Sequence, residues 1–269
     1  MPKVEVGGRE FHYERGGSGE PLLLIQGMSG THVAWGAPFK GALEESFDVI
    51  AFDNRGIGLS GPVDGPFTIA EMAEDTAALL GELGLESAHV VGISMGGMIA
   101  QELALTEPHL LRSLTLGCTY CGGPGSQLMP EENLQKLVAG MSSGDREQAI
   151  RAGYEVNLSP AFRADESTWE AFHEMATSVP AAKATIELQA QAIFGHDTSG
   201  RLGQIEVPTL IIHGTDDGVL PFPNGELIAS LMPTARFEVL EDVGHMFWWE
   251  QPQRSAELIR EHALAAGRA

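Results

Sequence analysis

The stretch Gly92-Ile93-Ser94-Met95-Gly96 sets a hydroxyl between two glycines, directly after the apolar run His89–Ile93 and directly before a run of helical period. A serine hydroxyl is a weak nucleophile near neutral pH. It needs a base to take its proton, and the base needs a carboxylate to fix its tautomer. The chain offers both further on: Asp216-Asp217 lies just past the apolar run Leu210–Ile212, and His245 lies just past Arg236–Leu240. Serine, then acid, then histidine, each beyond a predicted strand, is an order that supports acyl transfer. Functional groups of parallel sheets collect at the strands' carboxyl ends, which is where all three fall. The plainer readings are a serine capping the helix that starts at Met95 and an aspartate stabilising a turn. The flanking glycines favour the nucleophile. A sharp strand-to-helix turn leaves no room for side chains at Gly92 and Gly96, and it lifts Oγ toward the positive end of the helix.

These groups need a scaffold, and the sequence supplies one in three zones. Up to about residue 120, short apolar runs alternate with amphipathic stretches. Val4–Val6 and Phe11–Glu14 read as a hairpin across Gly7-Gly8. Leu22–Ile25 and Val49–Phe52 are too continuously apolar for half-exposed strands and suit a sheet covered on both faces. Helices are predicted at Trp35–Ser46, Ile69–Leu83 and Met95–Thr106, with strands at His89–Ile93 and Ser113–Leu116. Strand–helix alternation of this kind predicts a parallel sheet with right-handed crossovers. Residues 121–203 contain no convincing strand but four helical stretches, Glu131–Ala139, Asp145–Asn157, Ser167–Ser178 and Ala181–Phe194, which read as a helical cap over a sheet edge. Alternation resumes over residues 204–269: strands at Thr209–Ile212 and Arg236–Leu240, helices at Asn224–Leu231 and Ser255–Leu264.

On these motifs the chain resembles the α/β-hydrolases over essentially its whole length. Asp53-Asn54-Arg55-Gly56-Ile57-Gly58-Leu59-Ser60 matches the family's Asp-x-Arg-Gly-x-Gly-x-Ser turn. Gly244-His245 followed by Glu250-x-Pro252 matches its histidine segment. The resemblance implies a mostly parallel sheet covered by helices on both faces, with the cap inserted between 1–120 and 204–269. Gly214–Pro221 matches Gly-x-x-Asp-x-x-x-Pro, which selects Asp217 over Asp216 as the acid beside Ser94 and His245. Gln26-Gly27-Met28 occupies the place of the family's His-Gly-x segment, so the backbone N–H groups of Met28 and Met95 are the expected oxyanion donors. Gln26 departs from the usual histidine, a change that bears on loop packing because the donor is the backbone of Met28. The nearest branches resemble enol-lactonases and methylesterases, so the expected activity is hydrolysis of a small to medium, mostly apolar ester or lactone. Thioesterases, carbon–carbon hydrolases, cofactor-free haloperoxidases or perhydrolases and hydroxynitrile lyases use a similar triad, and a slow-turnover ligand receptor can retain one. Dehalogenases and epoxide hydrolases need an aspartate where Ser94 stands.

Further candidates surround this core. Trp35, His32, Cys118 and Trp248 are expected to line the substrate pocket; for Trp35 an ordinary core position fits equally, as does a solvated loop for His32. Arg55 reads as a fork bridging loops. Cys118-Thr119-Tyr120-Cys121 has the spacing of a redox pair, yet Gly122-Gly123-Pro124 replaces the helix start that would depress a thiol pKa. No second pair is present to build a zinc site. No metal and no cofactor are expected. With 16 Lys and Arg against 37 Asp and Glu, the net charge of −21 repels phosphate backbones and anionic lipid surfaces. Nucleic-acid and membrane partners are therefore not expected. The N-terminus lacks an apolar signal core, no apolar run spans a bilayer, and two cysteines build no disulfide framework. The expectation is a cytoplasmic protein acting on a small molecule as monomer or homodimer.

Overall fold

A computed structural model describes residues 2–179 and 181–267; Met1, Pro180, Arg268 and Ala269 lie outside the described residues. The chain opens with β1 (Lys3–Val6) and β2 (Arg9–Gly17), then β3 (Glu20–Ile25), α1 (Ala37–Glu44), β4 (Phe47–Phe52), α2 (Ile69–Glu82), β5 (Ala88–Ile93), α3 (Met95–Thr106) and β6 (Leu111–Gly117). Five helices follow: α4 (Glu131–Ser142), α5 (Arg146–Asn157), α6 (Pro160–Arg163), α7 (Ser167–Ser178) and α8 (Lys183–Phe194). The chain closes with β7 (Thr209–Gly214), α9 (Pro223–Leu231), β8 (Arg236–Leu240), α10 (Phe247–Glu250) and α11 (Pro252–Ala266).

The eight strands form one sheet in the order β1-β2-β4-β3-β5-β6-β7-β8. From β4 to β8 every pairing is parallel, while β1–β2 and β2–β4 are antiparallel. β2 runs three residues past the predicted Glu14 because it changes partner: residues up to His12 pair with β1, and Tyr13–Gly17 pair with β4. Arg15-Gly16-Gly17 carries no apolar signal, so that extension comes from ladder bonds alone.

Alternating side chains of each central strand feed two cores. Leu23 and Ile25 of β3 pack with Met72, Leu79 and Met98 under α2 and α3. Leu22 and Leu24 point the other way, onto Phe39 and Leu43 of α1 and Leu258 and Ile259 of α11. Both faces are covered, which explains the unbroken apolar runs. α2 starts on a reciprocal cap, in which the Thr68 hydroxyl accepts from the Glu71 N–H and the Glu71 carboxylate accepts from the Thr68 N–H. The predicted Trp35–Ser46 helix is split. His32–Trp35 forms a single 3₁₀ turn, and Gly36 at φ +70° interrupts the chain before α1. No strand occurs among the described residues of 121–203, and α6 is a short turn the periodicity did not reveal.

Candidate active site

The loops that leave β3, β5, β7 and β8 at their carboxyl ends bring the predicted groups together. Ser94 follows β5 at φ +52° and ψ −124°, a backbone region that costs a residue with a Cβ roughly 1–3 kcal/mol. Surrounding bonds enforce it. The Ser94 N–H donates to Gly117 O at 2.9 Å, and its carbonyl accepts from Gly97 N at 2.9 Å and Thr119 Oγ1 at 2.7 Å. A Cβ on Gly92 would fall on the Gly96 carbonyl oxygen, and one on Gly96 would fall on that of Ile25. Helix α3 thus lies against β5 and β3 at a distance only glycine allows.

His245 lies in the buried turn between β8 and α10. Its Nδ1–H donates to Asp217 Oδ2 at 2.8 Å, which leaves Nε2 as the free ring nitrogen. Asp217 is buried, and its Oδ1 accepts the N–H groups of Val219 and Leu220 at 2.8 and 2.9 Å. Burial alone would raise the Asp217 pKa. The His245 charge, its hydrogen bond and the nearby N–H of His213 outweigh it and hold the carboxyl well below the usual range. Asp216, the other aspartate of the pair, is exposed and makes no side-chain bond to His245 among the described residues.

The backbone N–H groups of Met28 and Met95 have no acceptor among the described residues. Met95 is the first residue of α3, whose opening N–H groups lack intrahelical partners. Gln26 folds back on its own loop: Oε1 accepts from Gly27 N at 3.1 Å, and its carbonyl accepts from Asn54 Nδ2 at 3.1 Å. From α8, the fully buried Gln189 takes the Ser29 N–H at 2.8 Å. Sequence reasoning missed Gln189, since nothing local marks a residue 160 positions away as a brace for this loop.

Ser94, His245, Met28 and Trp248 all border one cavity of about 450 Å³. Its opposite wall comes from the helices between β6 and β7, through Leu137, Ile150, Phe172 and Met175. Arg146 and His245 are its only ionisable lining residues among those described. Trp248 is anchored by donation from Nε1 to Ala34 O at 2.9 Å.

Three expected lining residues do not reach the cavity. Trp35 is fully buried in the core under α1, stacked on Phe39 with ring centroids 5.7 Å apart. The break at Gly36 turns it inward. His32 is turned away by Asp53, whose Oδ1 accepts both His32 N at 2.7 Å and His32 Nδ1 at 2.9 Å. Cys118 is fully buried behind the acid–imidazole pair, with Sγ and ligand atoms of Asp217 and His245 all within 4.8 Å of one another. Burial, and then the Asp217 charge, raise its thiol pKa well above the ordinary value, so it is no nucleophile. Arg55 does not bridge two loops: both its partners lie on α2, where it donates to Asp75 Oδ2 at 2.5 Å and Glu71 O at 2.9 Å.

Glu250 is a second residue whose role emerges only in three dimensions. Its carboxylate accepts from Gly244 N at 3.0 Å, Ser159 N at 2.8 Å and Ser159 Oγ at 2.6 Å, tying the His245 loop to the end of α5. Among the described residues, two groups of side chains have metal-ligand chemistry. One is Cys118, Asp217 and His245, where the ligand atoms already serve the pair described above. In the other, His12, His32 and Asp53, the carboxylate is occupied by three N–H donors from His32 and Leu59.

Residues 20–252 match the family model described as alpha/beta hydrolase fold. The chain is 32% identical over 261 residues to the "Putative carbamate hydrolase RutD" of Azorhizobium caulinodans, covering 96% of this chain and 97% of that one. The chain belongs to the α/β-hydrolase fold family and is a hydrolase of that family. Among solved structures, Est816, described as an N-acyl homoserine lactone degrading enzyme, superimposes with a TM-score of 0.81 at 29% identity, over 97% of this chain and 99% of that one. An enol-lactonase from Burkholderia xenovorans shares the fold with a TM-score of 0.85 at 24% identity, over 98% and 100% of the two chains. Among the described residues, no helix is long and apolar enough to cross a membrane.

Proposed function

We propose that the protein cleaves a carboxylic ester or lactone of a small to medium, mostly apolar substrate through Ser94, His245 and Asp217. The observation that carries this reading is the shared cavity: the strained Ser94 and the imidazole committed through Nδ1 to Asp217 border the same apolar space. In the proposed reaction His245 Nε2 takes the Ser94 proton as Oγ attacks the substrate carbonyl. The oxyanion that forms accepts the N–H groups of Met28 and Met95, each worth ~3 kcal/mol to the barrier. Collapse expels the alcohol, or opens the lactone ring, with the proton returned by His245. Water then attacks the acyl-enzyme with His245 again as base, and the acid leaves. Asp217 keeps the proton of the imidazole on Nδ1, so that Nε2 stays a base. In this reading residues 121–203 form the cap, and their apolar side chains select the acyl or alcohol group. No metal or cofactor enters the reaction.

The relatives named for carbamates and lactones support acyl transfer as the shared chemistry. The test is turnover on a panel of p-nitrophenyl esters, lactones, thioesters and carbamates, with fluorophosphonate labelling of Ser94. Ser94→Ala should lose labelling and at least ~10³-fold in kcat. Wild-type-like ester cleavage by that variant would defeat the mechanism, and a single burst without turnover in the wild type would favour a receptor.

A further inference from the structure

Asp217 has a second histidine. His213, the fifth residue of β7, is fully buried, and its Nε2 lies 2.8 Å from Leu220 O and 3.2 Å from Asp217 Oδ2. Two oxygen acceptors at that range fix the tautomer. Nε2 carries the proton and donates it to the Leu220 carbonyl, with Asp217 Oδ2 lying 3.2 Å away on the flank of the same N–H, because a bare nitrogen facing both oxygens would be repelled. Nδ1 then holds a lone pair, and it has no partner among the described residues. The ring is wedged in place: a Cβ at Gly225 would come 2.8 Å from Nδ1, and the Phe222 ring meets it edge-on at 6.1 Å. Asp217 Oδ1 is already filled by Val219 and Leu220, so His213 and His245 are the two side chains that meet Oδ2.

We propose that His213 is a positioning residue for the acid: its N–H, 3.2 Å from Oδ2, keeps that oxygen aimed at His245 Nδ1 and lowers the carboxylate's hold on the imidazole proton. This rests on the function proposed above. A carboxylate with a second N–H dipole against it is a weaker base, so it favours imidazolium at His245 less than one without that dipole would. The low pKa of Asp217, which burial opposes and the two histidines together produce, points the same way. The charged and titratable groups around this pair are the Cys118 thiol behind it, neutral in the working range, Arg146, which lines the same cavity as His245 and Ser94, and Glu250, which accepts the Gly244 N–H of the His245 loop; Asp216 next to Asp217 is exposed.

The experiment removes the donor and then restores it. His213→Leu should move the acid limb of the kcat/KM–pH profile up by roughly half to one pH unit and lower kcat about tenfold. His213→Gln, whose amide N–H reaches the same place, should bring the limb back to within ~0.2 units. Should His213→Leu fail to fold, His213→Asn, whose shorter amide stops short of Asp217, takes its place. The His245 pKa is followed in parallel by NMR of the ring, which requires no turnover. If the wild type hydrolyses none of the panel, the proposed function fails while the NMR titration still decides the role of His213. A variant that melts earlier but leaves both limb and ring pKa unmoved makes His213 a packing residue and overturns the proposal.

Discussion

Replacing Asp217 with asparagine keeps the shape of the side chain and removes its charge, and the surrounding donors then decide how the amide is oriented. Oδ1 faces two N–H groups, from Val219 and Leu220 at 2.8 and 2.9 Å. An amide that turned its NH₂ toward them would oppose donor to donor twice, at ~1–3 kcal/mol for each unmet buried group. The favoured orientation keeps the amide oxygen there and presents NH₂ to His245 Nδ1. That group can only donate, so the imidazole must shift its proton to Nε2 and can no longer accept one from Ser94. The same NH₂ also faces the Nε2–H of His213, which adds strain without restoring the base. The expected loss is ~10⁴-fold in kcat, about 5 kcal/mol, as for removal of the triad charge in serine proteases. The assay is steady-state hydrolysis of a p-nitrophenyl ester across roughly pH 6 to 10, with residual activity rising toward high pH as hydroxide supplies the missing base. Asp216→Asn is the control and should stay within about threefold, as an exposed carboxylate outside the pair. An Asp217→Asn enzyme with more than a tenth of wild-type turnover would refute the reasoning, and a large loss confined to Asp216→Asn would move the acid to its neighbour.

Two further outcomes are expected. His196 is buried with its Nε2 near Gln101 Oε1, and burial above all lowers its pKa from 6.5 to about 4. A depressed base contributes stability above the unfolded pKa and loses it as pH falls from about 6.5 to 4, a window worth roughly 3 kcal/mol. Urea midpoints at about pH 7 and 4.5 should show a smaller acid loss in His196→Gln than in the wild type, and equal losses would contradict the assignment. Arg146 at the cavity wall makes one hydrogen bond, to Thr177 O at 3.5 Å, and no ion pair among the described residues. Arg146→Gln should raise KM about tenfold for esters bearing a remote carboxylate and leave neutral esters within about twofold; equal effects on both would remove it from substrate selection.

The parts of the fold that sequence makes visible are those where a periodicity has one physical cause. Leu22–Ile25, Val49–Phe52 and His89–Ile93 are continuously apolar because both sheet faces are covered, and each appears as a central strand. Ser94, Asp217 and His245 are visible because loops after parallel strands converge on one edge whatever their length in between. Ser94's glycines also record a contact in the sequence, since nothing larger fits between α3 and the ends of β3 and β5.

Side-chain direction inside a loop has no such record. Trp35 and Trp248 are both large aromatics beside predicted site loops, yet one is wedged under α1 and the other borders the cavity. The difference is made by Gly36, which breaks the helix, and by Ala34 O, which takes the indole N–H of both Trp248 and Trp249. His32 and His213 are likewise both histidines just outside the expected triad. Asp53 holds the first away from the cavity, and Leu220 O turns the second toward Asp217. For Trp248, His32 and His213 a single backbone or carboxylate oxygen, 214, 21 and 7 positions away in sequence, meets the side chain's N–H and selects the orientation. A hydrogen-bond acceptor leaves no periodic trace, so residue type and spacing delimit the candidates for a site, and the acceptors around each candidate decide which of them can reach a substrate.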